Sequence, residues 1–284
     1  MTTNACFKDT TNGQPSGAPA SRESGVQLDM HELARLVRFE LGEHRALPGI
    51  TFTTRRIGAG EALYRGGDEF GALYVVRSGF FKTIAFDTGG TEQVLSFPMR
   101  GDVLGADGLA SGRYTSEPIA LEASEVVVVP FARITALARE VPALERIVYR
   151  LLSRELVREQ GLLYVVGMLG AEARVAAFLL NLGDRFATLG YSRSSFMLRM
   201  TRQEIGSYLG LKLETVSRAL SAFDTAGLIT VHLKRIDVLD AAALRRCIEE
   251  PASAVASALT AKKKPASAVQ LARPAVTRPA LAAE

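Results

Sequence analysis

The stretch from Thr201 to Phe223 constrains this chain more than any other, because two short helical repeats break at Gly210 and so fix a pair of helices joined by a tight turn. Thr201 and Glu204 stand three apart as a capping box, in which hydroxyl and carboxylate satisfy backbone N–H groups at a helix start. Ile205 and Leu209, four apart, give the first helix an inner face, and Gly206 allows a second helix to approach closely. Gly210 supplies the backbone freedom of the turn, after which Leu213, Val216 and Leu220 return to the core at steps of three and four. The pattern predicts a helix-turn-helix whose second helix turns Lys212, Glu214, Thr215, Ser217 and Arg218 outward.

Those outward side chains suit base edges. Arginine donates two hydrogen bonds to guanine O6 and N7, glutamate accepts from cytosine N4, and serine or threonine reaches thymine or phosphate. With Thr201 and Arg202 at the start of the first helix, they are the expected DNA-binding residues. On an ordinary surface helix, Glu214 and Arg218 would instead form an i, i+4 ion pair of about 0.2–0.5 kcal/mol. Ala226 to Leu239 reads as two strands around Leu233 to Arg235, a wing with Lys234 and Arg235 suited to phosphates. Ala171 to Phe186 precedes the motif as a helix with a core stripe of Val175, Phe178, Leu179 and Leu182.

From about Ile50 to Phe131 the periodicity changes. Runs such as Ala72–Val76, Phe80–Phe86 and Ser124–Val129 alternate with turn signals at Gly66-Gly67-Asp68, Thr88-Gly89-Gly90 and Gly101-Asp102, which predicts a compact antiparallel β-roll. A helical repeat follows over about 141–169. Its seam, Leu152, Leu156, Glu159, Leu163 and Val166, steps by four, three, four and three, the spacing of a two-helix coiled coil; the other reading is a helix packed on its own domain. On a dimer seam Glu159 would face its symmetry mate and make association marginal, whereas off it the side chain is simply solvated. Met30 to Leu41 reads as a short helix, and residues 1 to about 27 as a mobile arm.

The fold class is thus α+β. The organisation is a flexible arm and short helix over 1–45, a β-roll over 46–135, a dimerisation helix over 136–170, a winged helix-turn-helix over 171–250, and a disordered basic tail over 251–284. That tail holds Lys262, Lys263, Lys264, Arg273 and Arg278 against Glu284, five cations against one carboxylate, which accounts for the whole net charge of +4. The pI near 9.2 therefore argues nothing about nucleic acid. The tail reads as a solvated segment or as a non-specific DNA-binding extension.

The N-terminus lacks a basic start followed by an apolar stretch, and no apolar run is long enough to span a bilayer, so a cytoplasmic protein is expected. His31, His44 and His232 are scattered and no nucleophile–base or metal-ligand spacing appears, so an enzyme is not expected. Cys6 and Cys247 stand far apart and read as free thiols.

Over about residues 45–248 the chain resembles the Crp/Fnr superfamily. The segment Leu213-Glu214-Thr215-Val216-Ser217-Arg218 is similar to the Fnr branch, whose Glu-x-x-Ser-Arg pattern it meets; the resemblance implies a homodimer reading a TTGAT inverted repeat. Gly66-Gly67-Asp68, Leu73 to Gly79 and Gly101 to Gly105 resemble the superfamily's roll, which implies a cyclic-nucleotide-binding-like β-roll sensor over 46–135, and Glu159 takes the place of an acidic residue that governs Fnr dimerisation. Gly89, Gly90, Thr91 and Glu92 resemble the turn by which Fnr-type activators touch RNA polymerase, although Thr91 lacks the acidic character seen there.

Two departures bear on the signal. The Fnr cluster needs several N-terminal cysteines and one in the roll, whereas only Cys6 precedes the roll and Val126 to Val129 stand where the other is needed, so no iron–sulfur cluster is expected. Cyclic-nucleotide binders carry Gly-Glu-Leu and an Arg-Ser-Ala or Arg-Thr-Ala around the phosphate. Here Gly105-Ala106-Asp107-Gly108 lacks the carboxylate at Ala106, and Arg113 stands one place out as a solvated loop residue unless the loop shifts. No cofactor is assigned; the alternative is an effector-dependent regulator binding a small molecule or haem in the roll and acting partly as a repressor.

Overall fold

Alternation along two central strands organises the first part of the molecule. The structure is a computed structural model and describes residues 23–39, 50–140 and 142–249; Cys6, the rest of the arm before Glu23 and the tail from Pro251 lie outside the described residues. Two units emerge, one comprising Met1–Met168 with Leu198–Val216 and the other Leu169–Met197 with Ser217–Glu284.

The first unit runs β1 (Glu23–Asp29), α1 (Met30–Leu36), β2 (Thr51–Ile57), β3 (Ala72–Ser78), β4 (Phe81–Phe86), β5 (Glu92–Ser96), β6 (Val103–Leu104), a 3-10 turn (Ala106–Leu109), β7 (Glu117–Ala120), β8 (Ser124–Pro130), α2 (Phe131–Glu140) and α3 (Pro142–Met168). The strands form two antiparallel sheets, ordered β1-β2-β8-β3-β6 and β5-β4-β7. β3 and β8 are paired in the middle of the larger sheet and apolar on both faces. Val76 and Val126 face one way, into a cluster with Ile57, Phe81 and Leu104. Leu73, Val75, Val127 and Val129 face the other way, against Leu33 of α1, Ile134 of α2 and Leu144 and Ile147 of α3. Period-two alternation thus feeds two cores from one pair of strands, which is why Val126 to Val129 is an unbroken apolar run.

The arm expected over 1–45 needs correction at its end. Glu23–Asp29 is strand β1, paired antiparallel with β2, with Leu28 buried. Its mostly polar text hides a pairing held by backbone groups rather than by apolar side chains. The helix expected over Met30–Leu41 ends at Leu36 after starting on a capping box of Asp29 and Glu32. Arg38 then takes a left-handed φ of 57°, and the Phe39 N–H donates back to the Ala34 carbonyl at 2.9 Å, closing the helix end. The repeat expected over 141–169 is α3, and the span 136–170 also takes in the end of α2.

The second unit holds α4 (Ala171–Thr188), β9 (Ser195–Met197), β10 (Ile229–His232), β11 (Arg235–Val238) and α7 (Ala241–Glu249). Val175, Phe178, Leu179 and Leu182 of α4 are buried as their stripe predicts. β10, β11 and β9 form a three-stranded antiparallel sheet, and the turn at Leu233-Lys234 is the wing tip. Between them in sequence lie α5 (Arg202–Leu209) and α6 (Leu213–Ala226), the two helices of the motif. No helix among the described residues is long and apolar enough to cross a membrane.

Candidate nucleic-acid interface

The start of α5 is the capping box that its spacing predicts. The Thr201 hydroxyl accepts the Glu204 N–H at 3.2 Å, and the Glu204 carboxylate accepts the Thr201 N–H at 2.7 Å. The same hydroxyl donates to Glu204 at 3.0 Å, so Thr201 is committed to the cap. Gly210 ends α5 with φ 64° in the left-handed region, where glycine escapes the cost borne by other residues. Gly206 answers a steric demand: a Cβ there would lie 2.6 Å from the Leu211 carbonyl oxygen, which accepts no such approach without a backbone shift.

The inner face of α6 is Val216, Ala219, Leu220 and Phe223, all buried. Leu213 corrects the expected core set, being 43% exposed. As the first residue of α6 it lies in the turn-side end of the helix, whereas the buried face begins one turn later. Lys212, Glu214 and Arg218 are exposed, and Thr215 and Ser217 half-buried, so the side chains expected to read bases lie just before α6 and along its first two turns, after the Gly210 turn. Arg202 is half-buried at the start of α5. At the wing, Arg235 is drawn into the sheet by Asp237 at 3.1 Å and Ser195 at 3.1 Å, while Lys234 stands exposed at the turn. Lys234 is therefore the wing cation better placed for a phosphate.

Within the first unit, α5 is also held by the β4–β5 hairpin. The Lys82 ammonium, mostly buried, sits between Glu92 at 2.7 Å and Glu204 at 3.1 Å. The Ser207 hydroxyl accepts the Val94 N–H at 2.9 Å, the Ser207 carbonyl accepts from Gln93, and the Phe97 and Tyr208 rings meet edge-on at 5.2 Å. Burial alone would raise the Glu204 pKa, but the Thr201 N–H and Lys82 outweigh it and hold the carboxyl below its ordinary value. Burial pulls Lys82 down, and the two carboxylates more than restore it.

That hairpin ends in the turn Gly89, Gly90, Thr91, Glu92. The Asp87 carboxylate accepts the Gly89 and Thr91 N–H groups, each at 2.8 Å, and these bonds, the one from Thr91 foremost, lower its pKa. The turn is shaped by an acidic side chain at its base, and Glu92 is tied to Lys82.

The place where a cyclic phosphate would be expected is built from the chain's own groups. One oxygen of Asp107 accepts the Thr115 and Ser116 N–H groups, both at 2.8 Å, and their hydroxyls at 3.0 and 2.8 Å. Beside it Tyr64 stacks on Tyr114 at 3.8 Å and on Tyr74 at 5.7 Å. Burial, then the negative charge of Asp107, raises the Tyr64 phenol well above its ordinary value. Arg113 is exposed and donates to the Gly67 carbonyl at 2.7 Å rather than reaching the cradle. The Asp107 carboxylate thus already accepts from the four donors of Thr115 and Ser116.

On α3, Leu156 and Leu163 are 55% and 72% exposed, Glu159 is exposed, and Leu152 and Val166 are half-buried. Tyr149 joins Leu156 and Leu163 as a third exposed apolar residue at intervals of seven, which the seam read from sequence leaves out. Reading the sequence also misses Asp107, Lys82 and Ser207. An acid, a lysine and a serine in these positions carry no local signal, since each finds its partners across 8 to more than 100 residues of chain.

Residues 173–247 match the Crp-like helix-turn-helix domain and residues 54–140 the cyclic nucleotide-binding domain. The chain is 42% identical over 193 residues to the transcriptional regulatory protein btr of Bordetella pertussis, covering 68% of this chain and 80% of that one. It is 39% identical over 186 residues to the transcriptional activator protein anr of Pseudomonas aeruginosa, covering 66% and 76%. Among solved structures it is similar to FixK2 from Bradyrhizobium japonicum, with a TM-score of 0.63 at 27% identity, covering 69% of this chain and 97% of that one.

Proposed function

We propose, from the premise that this chain belongs to the Crp/Fnr family of DNA-binding transcriptional regulators, that it acts as a homodimer on a TTGAT-type inverted repeat. The family consists of transcription factors rather than enzymes. The observation that carries the finer reading is the outward row Glu214, Ser217 and Arg218 at the start of α6, with Arg218 exposed to offer guanine two hydrogen bonds and Glu214 to accept from the paired cytosine. Lys212 and Thr215 flank it, Arg202 and Thr201 lie at the start of α5, and Lys234 on the wing suits a phosphate.

Dimerisation runs through α3. The apolar residues Leu152, Leu156, Leu163 and Val166 would be covered by the same face of a second copy, with Glu159 opposing its mate and keeping the association weak enough to regulate. Two recognition helices would then enter successive major grooves about 34 Å apart. Activation through RNA polymerase would use the turn Gly89, Gly90, Thr91 and Glu92, a reading supported by the activator among the relatives.

The signal is neither an iron–sulfur cluster nor a cyclic nucleotide in this reading. The sequence has two cysteines in all, short of a four-thiolate set, and the Asp107 carboxylate fills the cradle. The test is a mobility shift in air with the purified full chain on the inverted repeat, on the repeat with one half-site scrambled, and on either one with Leu156→Glu protein. Binding is expected only with both half-sites and an intact seam; equal retention on the half-site would overturn the dimeric reading.

A further inference from the structure

A groove of about 300 Å³ opens between the end of α1 and the middle of α3, and its chemistry is not that of the cradle. Its floor is apolar, with Val37, Ile147 and Leu151, and its walls carry Arg38, Arg150 and Arg154. The two described carboxylates that act on Arg154, Asp102 and Glu155, are engaged elsewhere: Arg158 pairs with the buried Asp102 and, at 3.2 Å, with Glu155. Among the described residues no carboxylate forms a salt bridge with Arg38, Arg150 or Arg154. Arg154 donates to the Val37 carbonyl at 3.0 Å, and Arg150 lies over the Phe39 ring at 5.2 Å. Three arginines therefore line one concavity, and none of them is ion-paired with a carboxylate of the described residues.

The backbone gives a second observation. Arg38 has φ 57°, a left-handed conformation at a helix-ending position that glycine adopts at less cost, and this turn sets Arg38 and Phe39 side by side on the rim of the groove. Burial, and after it the charges of Arg158 and Arg38, depress the Arg154 pKa against the opposing pull of Asp102 and Glu155.

We propose that this groove binds a small organic dianion, phosphorylated or carboxylated, with its charged groups on Arg38, Arg150 and Arg154 and a short apolar body on Phe39, Ile147 and Leu151. Forked guanidiniums match the planar or tetrahedral oxygens of such groups, and the volume suits a ligand of metabolite size. Ile147, Leu151 and Arg154 succeed one another at steps of four and three on the side of α3 away from Leu152, Leu156 and Leu163. A ligand there would clamp α1 to α3 without touching the dimer seam, which gives the first unit a signal site outside the filled cradle.

The experiment is calorimetric titration of the full-length protein with phenyl phosphate and with phthalate, at constant ionic strength, with benzyl alcohol as the neutral control. The same titrations are made on Arg38→Gln, Arg150→Gln and Arg113→Gln, each checked for an unchanged thermal midpoint. The expected result is one dianion per chain, weakened at least tenfold by Arg150→Gln and by Arg38→Gln and unaffected by Arg113→Gln. Whichever of the two probes binds tighter distinguishes a phosphate from a carboxylate ligand. Binding lost equally in all three variants or in none, binding of benzyl alcohol as well as of the anions, or no binding of either anion at millimolar concentration would each overturn the proposal.

Discussion

The turn that carries Asp107 and the first turns of α6 are made of the same materials, an acidic side chain, hydroxyls and backbone N–H groups, yet they come to opposite ends. At the first, Asp107 draws the hydroxyls and N–H groups of Thr115 and Ser116 onto a single oxygen, under a stack of buried tyrosines. At the second, Glu214 and Arg218 stand exposed on a helix whose other face is fully buried. Hydrogen-bonding capacity alone does not make a binding site. A site needs that capacity turned to solvent on a frame held by something else, and in α6 the frame is the Gly210 turn and the Val216–Leu220–Phe223 face.

The comparison can be broken from either side. The largest effect is expected at the closed region: Asp107→Ala leaves four donors without their acceptor and should cost about 2–3 kcal/mol in chemical denaturation, while DNA affinity per folded molecule stays the same. At the open region the effect falls on DNA instead, and Arg218→Ala should weaken specific DNA binding by about 1–3 kcal/mol. Thr201→Ala sharpens the distinction between frame and reader. Because its hydroxyl is spent on the cap, it should cost about 1 kcal/mol of stability, and the base preference of the protein should not change.

The smallest effect concerns pH. Glu204 has a pKa held below its ordinary value, so its contribution to stability is complete above about pH 4.3, the unfolded value, and is lost as pH falls through the lower folded value. The stability profiles of the wild type and Glu204→Gln should therefore differ at neutral pH and converge in acid. Profiles that stay parallel to pH 3 would show that the Thr201 N–H and Lys82 together do not lower the Glu204 pKa.

The helix-turn-helix was legible because its determinants are local. Thr201 and Glu204 are three residues apart, Gly210 marks the break, and the buried positions recur at three and four, so no distant partner is needed to read them. Leu213 shows the limit of the same rule, since periodicity assigns a face but not where along the helix that face begins to be covered. β1 was hidden because its stability rests on pairing with β2, some 25 residues away, and its text carries few apolar side chains. The cradle was half legible: the missing carboxylate at Ala106 and the displaced Arg113 could be read, but that Asp107 turns back on Thr115 and Ser116 depends on loop closure, which sequence spacing does not encode. The arginine groove joins α1 to α3 across more than 100 residues, and no window of sequence contains it.

The most direct test of sequence-specific reading by α6 is a double-mutant cycle in fluorescence anisotropy at one fixed salt concentration. Wild-type and Arg218→Ala proteins are each titrated with the TTGAT inverted repeat and with the repeat whose G·C pairs are exchanged for A·T. The account predicts that the exchange weakens wild-type binding at least tenfold and scarcely affects Arg218→Ala, a coupling of about 1–3 kcal/mol. Equal losses in both proteins, or wild-type binding indifferent to the exchange, would contradict it.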